Sequence, residues 1–221
     1  KAMTEEGYRI ISIDYRLGLK GTDKVGVAQV NALDKAIHMG VEDLYSATNF
    51  ICDNADQFNI DPSNIVIAGS SAGAIIVMQA EYEICNQTSW TSVLPEGFRY
   101  AGVMSFSGAI LSREGKVDFE KDPCPTLMFH GTSDKLVPYN QIKVFNLGFF
   151  GGGKLVDRFG KFGYNYNMYH YDGNGHEVAG AMDRTVDLQM TFIENNILLG
   201  QKRIIEALIS DPEIVPAGIK S

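Results

Sequence analysis

The sequence predicts an α/β architecture, a mostly parallel sheet covered by helices on both faces. Three observations lead there. Short β-branched runs such as Ile65-Val66-Ile67 alternate with longer stretches whose apolar residues return every three or four positions. Turn signals such as Asn59-Ile60-Asp61-Pro62-Ser63-Asn64 separate them. The 221 residues, 45% of them hydrophobic, are enough for one sizeable core.

Tyr8-Arg9-Ile10-Ile11-Ser12-Ile13-Asp14 reads as a strand, and the loop after it carries Gly18, Gly21 and Gly26. The stretch 17–40 is irregular and is read as a cap region. From Val41 to about Phe58 the residues Val41, Leu44, Tyr45, Thr48, Ile51, Cys52 and Ala55 recur at helical spacing. A strand at 64–69 and a helix from about 72 to 85 follow the Pro62 turn. Further strands are expected at Tyr100–Phe106 and Pro125–His130, with a helix from near Pro138 to about Asn146. The aromatic alternation from Tyr164 to Tyr171 predicts another strand. After Gly175, a helix from about His176 to Leu199 carries Val178, Met182, Val186, Met190, Ile193 and Ile197. Residues 201–221 read as a short amphipathic helix and a Pro-containing tail.

The net charge of −8 argues against a nucleic-acid surface or a polybasic membrane patch. No run approaches the roughly 18 apolar residues of a membrane span. Cys52, Cys85 and Cys124 stand far apart without a C-x-x-C pair, which argues against a metal site or thioredoxin-like chemistry. Free buried thiols are the simplest reading; a Cys52–Cys85 bridge would instead imply an oxidising compartment. The chain opens without an initiator methionine, as if entered within a helix, so the lack of a signal peptide carries no weight. A secreted or periplasmic location is the expectation.

Gly69-Ser70-Ser71-Ala72-Gly73 is the only G-x-S-x-G in the chain. Among 23 glycines the pattern alone is a weak signal. Its context is stronger: a strand precedes it and a helix follows, the arrangement in which a tight turn lifts a serine hydroxyl above the sheet's carboxyl edge. Only Ser71 holds the central position. Glycines at 69 and 73 allow the close backbone approach of such a turn. The helix N-terminus would place the Ala72 N–H where it could stabilise an oxyanion. Without partners the same stretch is a glycine-rich turn with no chemistry.

A serine nucleophile needs a base, and the base an orienting group. Of four histidines, His38 reads as a surface residue and His130 as structural, packing under the loop that follows it. His170 lies within an alternating strand. His176 leaves a strand through the glycine-rich Asp172-Gly173-Asn174-Gly175 turn and so reaches the sheet's carboxyl edge, where open α/β sheets place their sites. For the acid, Asp134 lies just beyond the strand that ends at His130. Asp172 more plausibly fixes its own turn, and Asp14 precedes the serine.

The segments "GYRIISIDYRL", "VEDLYSATNFICDNADQFNIDPSNIVIAGSSAGA", "TLMFHGTSDKLVP" and "GNGHE" resemble the esterase/lipase branch of the α/β-hydrolase superfamily over most of residues 7–180. The order Ser71, Asp134, His176 matches that superfamily. The resemblance implies an α/β-hydrolase fold over residues 1–200, with Ser71 as nucleophile, His176 as base, Asp134 as acid and the Ala72 amide as one oxyanion donor. Asp14 and Arg16 match the family's D-Y-R, more structural than catalytic. A second oxyanion donor would come from a His-Gly-Gly-type loop upstream of "EGYRIISIDYRL". Nothing in this sequence matches that loop, so the catalytic domain is read as N-terminally incomplete, lacking its first strands.

Gly148-Phe149-Phe150-Gly151-Gly152-Gly153-Lys154 fits G-x-x-x-x-G-K, but Leu155 stands where Ser or Thr would bind magnesium, and no clear strand leads into it. It is read as a rim loop, through Phe162, that bears on substrate selection. Asn86-Gln87-Thr88 is a formal glycosylation sequon. The functional expectation is a serine hydrolase of small carboxylic esters, acyl or aryl and conceivably on carbohydrate, needing no metal or cofactor. A peptidase of the prolyl-oligopeptidase type and a non-catalytic hydrolase-fold binding protein are the alternatives.

Overall fold

A computed structural model describes residues 2–18, 27–211 and 213–214. Five parallel strands form the main sheet: β1 (Val66–Ser70), β2 (Gly102–Phe106), β4 (Thr126–Gly131), β7 (Tyr166–Tyr171) and β8 (Ile204–Ile209), in the order β1-β2-β4-β7-β8. β3 (Ala109–Ser112), β5 (Gln141–Val144) and β6 (Leu147–Gly151) form a small antiparallel sheet in the order β3-β6-β5. The helices are α1 (Ala2–Glu5), α2 (Val27–Asp53), α3 (Ala55–Phe58), α4 (Ala72–Cys85), α5 (Gly152–Phe162) and α6 (Val186–Phe192).

Period-two alternation sends the side chains of β1, β2, β4 and β7 into two cores. Val103, Met128, Tyr166 and Met168 pack toward α2, α4 and α5, together with Val41, Tyr45, Ile76 and Phe159. Met104, Phe106, Leu127, Phe129 and Tyr169 pack on the opposite face against Val178, Phe192 and Ile193. Phe106, Phe129 and Tyr169 are register partners across three strands and their rings stack, at centroid distances of 4.7 and 5.1 Å. Strands buried on both faces are what a parallel sheet demands.

Several expectations need correction. Residues 8–14 are extended but join no ladder among the described residues, and Ile10 is 58% exposed. A strand needs a partner along its edge, and no described strand flanks this one. Arg16 instead fastens the segment to α2 through Asp43 and Glu42. The helix read from Val41 begins at Val27, so residues 27–40 are not an irregular cap; residues 19–26, the rest of its glycine-bearing loop, lie outside the described residues. Leu33 and Ile37 continue its apolar stripe. Gly40, which looks like an interruption, lets α2 approach α4: a Cβ there would come within 2.4 Å of the Ile76 side chain. His38 therefore sits in mid-helix, stacked on Trp90.

The helix expected from Pro138 to Asn146 is strand β5, whose Ile142 and Val144 alternate beside Phe149 and Leu147 of β6. The presumed rim loop is β6 followed by α5, so a strand does lead into the G-x-x-x-x-G-K stretch. That strand is antiparallel, and Lys154 pairs with Asp157 at 2.8 Å. The amphipathic C-terminal helix is β8, with alternating exposure, paired in parallel with β7. Helix 176–199 is real but mixed: 3-10 turns at His176–Thr185, then α6, then a π-helical stretch at Ile193–Leu198. Cys52, Cys85 and Cys124 are free thiols, so the Cys52–Cys85 bridge is absent. The Asn86 side-chain amide is engaged at both ends, with Tyr82 O and the Glu120 N–H.

Candidate active site

The serine elbow forms because β1 ends where α4 must begin. Ser71 takes φ 53° and ψ −118°, a conformation that costs a non-glycine residue about 1–3 kcal/mol. Its N–H donates to Phe106 O at 2.9 Å and its carbonyl accepts from Ile75 at 3.0 Å, so strand β2 and the first turn of α4 hold the apex on both sides. The two glycines of the motif are not equivalent. A Cβ on Gly69 would lie 2.3 Å from the Gly73 carbonyl, whereas one on Gly73 would meet only Tyr15 Oη, at 3.9 Å. The turn requires glycine at 69; at 73 it requires only the backbone.

Ser71 Oγ lies 2.8 Å from His176 Nε2, and His176 Nδ1 lies 2.8 Å from Asp134 Oδ2. Ser70, by contrast, points to the other side and donates to Ala179 O at 2.6 Å, pinning the turn that carries His176. The adjacent serines thus divide: one faces the imidazole, the other anchors the imidazole's backbone. Loop-to-loop bonds bring acid and histidine within reach. Thr132 N–H donates to Tyr171 O and Ser133 N–H to Asn174 O, while Gly175 N–H donates to Glu177 Oε1 at 2.7 Å.

Asp134 has no exposed side-chain surface, and His176 keeps 23%. The Asp134 Oδ1 atom accepts from the Leu136 and Val137 N–H groups at 2.9 and 3.0 Å. Burial pushes this carboxyl up, but hydrogen bonds from His130 and His176, the His176 charge and the Val137 amide together outweigh it. They hold Asp134 below the usual carboxylate range. The Ala72 N–H, first of the α4 amides without an intrahelical partner, adjoins Ser71 at the exposed helix N-terminus.

The structure therefore brings together Ser71, His176, Asp134 and Ala72. It leaves the competitors apart: Asp172 is exposed and its backbone N–H closes on Ile209 O, and Asp14 is exposed on the extended segment. His170 faces Tyr139 Oη at 2.7 Å. Sequence reasoning missed the contact between His130 and Asp134, 3.4 Å from Nε2 to Oδ2, although the four-residue spacing was visible. A cleft of about 610 Å³ between residues 8–13 and α2, lined by Ile10, Phe50, Ile51 and Phe58, contains none of these groups. A hydroxyl, an imidazole and a fully ligated carboxylate in line can carry a proton from oxygen to nitrogen while the nitrogen's far side stays bonded. Among the described residues no helix is long and apolar enough to cross a membrane.

A family model described as BD-FAE matches residues 1–88. Among curated proteins, the chain is 31% identical over 143 residues to isoprenylcysteine alpha-carbonyl methylesterase ICME of Arabidopsis thaliana, covering 48% of this chain and 34% of that protein. It is 36% identical over 76 residues to gut esterase 1 of Caenorhabditis briggsae, covering 34% of this chain and 13% of that one. The chain thus spans about a third of the first relative's length and less of the second's. Among solved structures, the propionate-bound esterase Est2 of Thermogutta terrifontis superposes with a TM-score of 0.51 at 22% identity, over 82% of this chain and 69% of that one. This last likeness establishes the fold.

Proposed function

We propose that the chain is a member of the esterase/lipase branch of the α/β-hydrolase superfamily and a serine hydrolase of carboxylic esters. The observation that carries the reading is the unbroken line from Ser71 Oγ through His176 to Asp134, with Ser71 at a positive-φ apex. Two relatives with esterase names support it.

Ser71 Oγ attacks the ester carbonyl carbon as its proton passes to His176 Nε2. Asp134 Oδ2 accepts the Nδ1–H throughout, which fixes the tautomer that leaves Nε2 free to take a proton and stabilises the imidazolium. The Ala72 N–H faces the oxygen where negative charge develops, aided by the α4 N-terminus. On collapse the C–O bond to the alcohol breaks and the alcohol leaves with the Nε2 proton. A water then gives its proton to Nε2 and attacks the acyl carbon, and the acid departs as Ser71 recovers its proton. Small, uncharged acyl or aryl esters, those on carbohydrate included, are the substrate class proposed; a methylesterase among the relatives is in keeping with a small leaving group.

Hydrolysis of p-nitrophenyl acetate by the wild-type chain beside Ser71→Ala tests this. The expected result is turnover by the wild type and a loss of up to about 10⁶-fold in the variant. Equal rates in both would overturn it.

A further inference from the structure

Behind the proposed triad stands a second histidine, and the geometry points to His130 as a positioning residue that holds the Asp134 carboxylate in line with His176. The inference rests on the triad reading above, since it concerns the same carboxylate. His130 is 1% exposed near the end of β4. Its Nδ1 faces the Gly152 N–H at 3.2 Å, so Nδ1 accepts and the ring proton sits on Nε2. There it finds two acceptors, Val137 O at 3.0 Å and Asp134 Oδ2 at 3.4 Å.

Those two acceptors belong to one device. Val137 already donates its N–H to Asp134 Oδ1, so His130 grips the same residue from its carbonyl side while also touching the carboxylate. Oδ1 then has two backbone donors, Leu136 and Val137. Oδ2 has the His176 Nδ1–H as its donor, with His130 Nε2 beside it at 3.4 Å. With both oxygens occupied, the carboxylate cannot turn without breaking a bond.

The other titratable neighbours are Tyr139, whose ring meets His130 edge-on at 5.6 Å, and His170, its register partner on β7. They bond to each other, Tyr139 Oη to His170 Nδ1, and so leave His130 to Asp134, Val137 and Gly152. Because Gly152 opens α5, His130 also ties the acid loop to that helix.

Three substitutions separate the two nitrogens. His130→Gln keeps a donor near the Nε2 position, His130→Asn keeps only an acceptor near Nδ1, and His130→Phe keeps the ring alone. Two readouts apply: ester hydrolysis, and the downfield proton NMR signal of the His176 Nδ1–H, which reports the bond to Asp134 without any turnover. The expected result is that His130→Asn and His130→Phe lose about 10–100-fold in kcat with little change in KM, as for a displaced catalytic group. Both should lose or shift the His176 signal. His130→Gln should recover most of the rate and keep the signal. Retention of the signal at its wild-type position in His130→Phe would overturn the inference, as would Gln failing equally with Asn and Phe. If the wild type shows the signal but cleaves no ester, the esterase reading fails while the NMR comparison still decides the role of His130.

Discussion

Two carboxylates, Asp134 beside the serine elbow and Glu81 in the middle of α4, are almost equally buried and are held in opposite ways. Asp134 has donors on both oxygens and is held below the usual carboxylate range. Glu81 accepts on Oε1 from Arg99 at 2.9 Å, the Cys85 thiol at 3.2 Å and the Cys124 N–H at 2.9 Å. Its Oε2 is buried without a partner. Burial, the largest effect, pushes Glu81 up despite the Arg99 charge. Burial pushes both carboxyls up, and only at Asp134 do the surrounding donors outweigh it. The site carboxylate is favoured as the anion that an imidazolium needs, while burial works against the charge of the core carboxylate.

The largest effect expected from this contrast is catalytic. Asp134→Asn preserves shape but removes the acceptor that fixes the His176 tautomer, and kcat should fall about 10⁴-fold, read in a steady-state ester assay. A loss under about tenfold would show that Asp134 merely fills its pocket.

Next in size is an opposition in stability. Asp134, lowered in the folded state, adds stability above the ordinary carboxylate range and loses it as pH falls through its folded value. Glu81, raised, contributes most below that range and loses its contribution as pH rises through its folded value. Thermal melts across the acid range should therefore show the wild type's advantage over Asp134→Asn growing with pH, and its advantage over Glu81→Gln shrinking. Parallel trends would break the comparison.

The smallest effect concerns the thiols. Cys85 and Cys124 are buried beside Glu81, and burial, the leading cause, raises both. Cys52 is half-buried. Alkylation of the native protein followed by peptide mass spectrometry should mark Cys52 first, with the other two reacting only on unfolding. Early labelling of Cys85 would mean that the region around Glu81 opens more readily than its packing implies.

The site was more legible in the sequence than the periphery, for a physical reason. Ser71 directly follows β1, and Asp134 and His176 lie in the short glycine-containing turns that leave β4 and β7, so strand ends located them without any knowledge of the sheet order. The central strands and α4 were also plain, since β-branched and buried runs leave little choice. The misread elements were those whose state depends on a distant partner. Residues 8–14 have strand composition but no flanking strand among the described residues. Ile204–Ile209 and Gln141–Val144 carry patterns that either a helix or a strand could use, and pairing with β7 and β6 settles each as strand. Gly40, at the end of the stretch read as irregular, lies inside α2, where it allows close contact with Ile76, 36 residues away.

The central claim, that Ser71 and not Ser70 is the nucleophile, is most directly tested by trapping. The protein would be treated with a small fluorophosphonate and the adduct located by peptide mass spectrometry in the wild type, Ser70→Ala and Ser71→Ala. The account predicts one adduct, on Ser71, that survives in Ser70→Ala and vanishes in Ser71→Ala. An adduct on Ser70, or labelling that persists at the wild-type rate in Ser71→Ala, would contradict it.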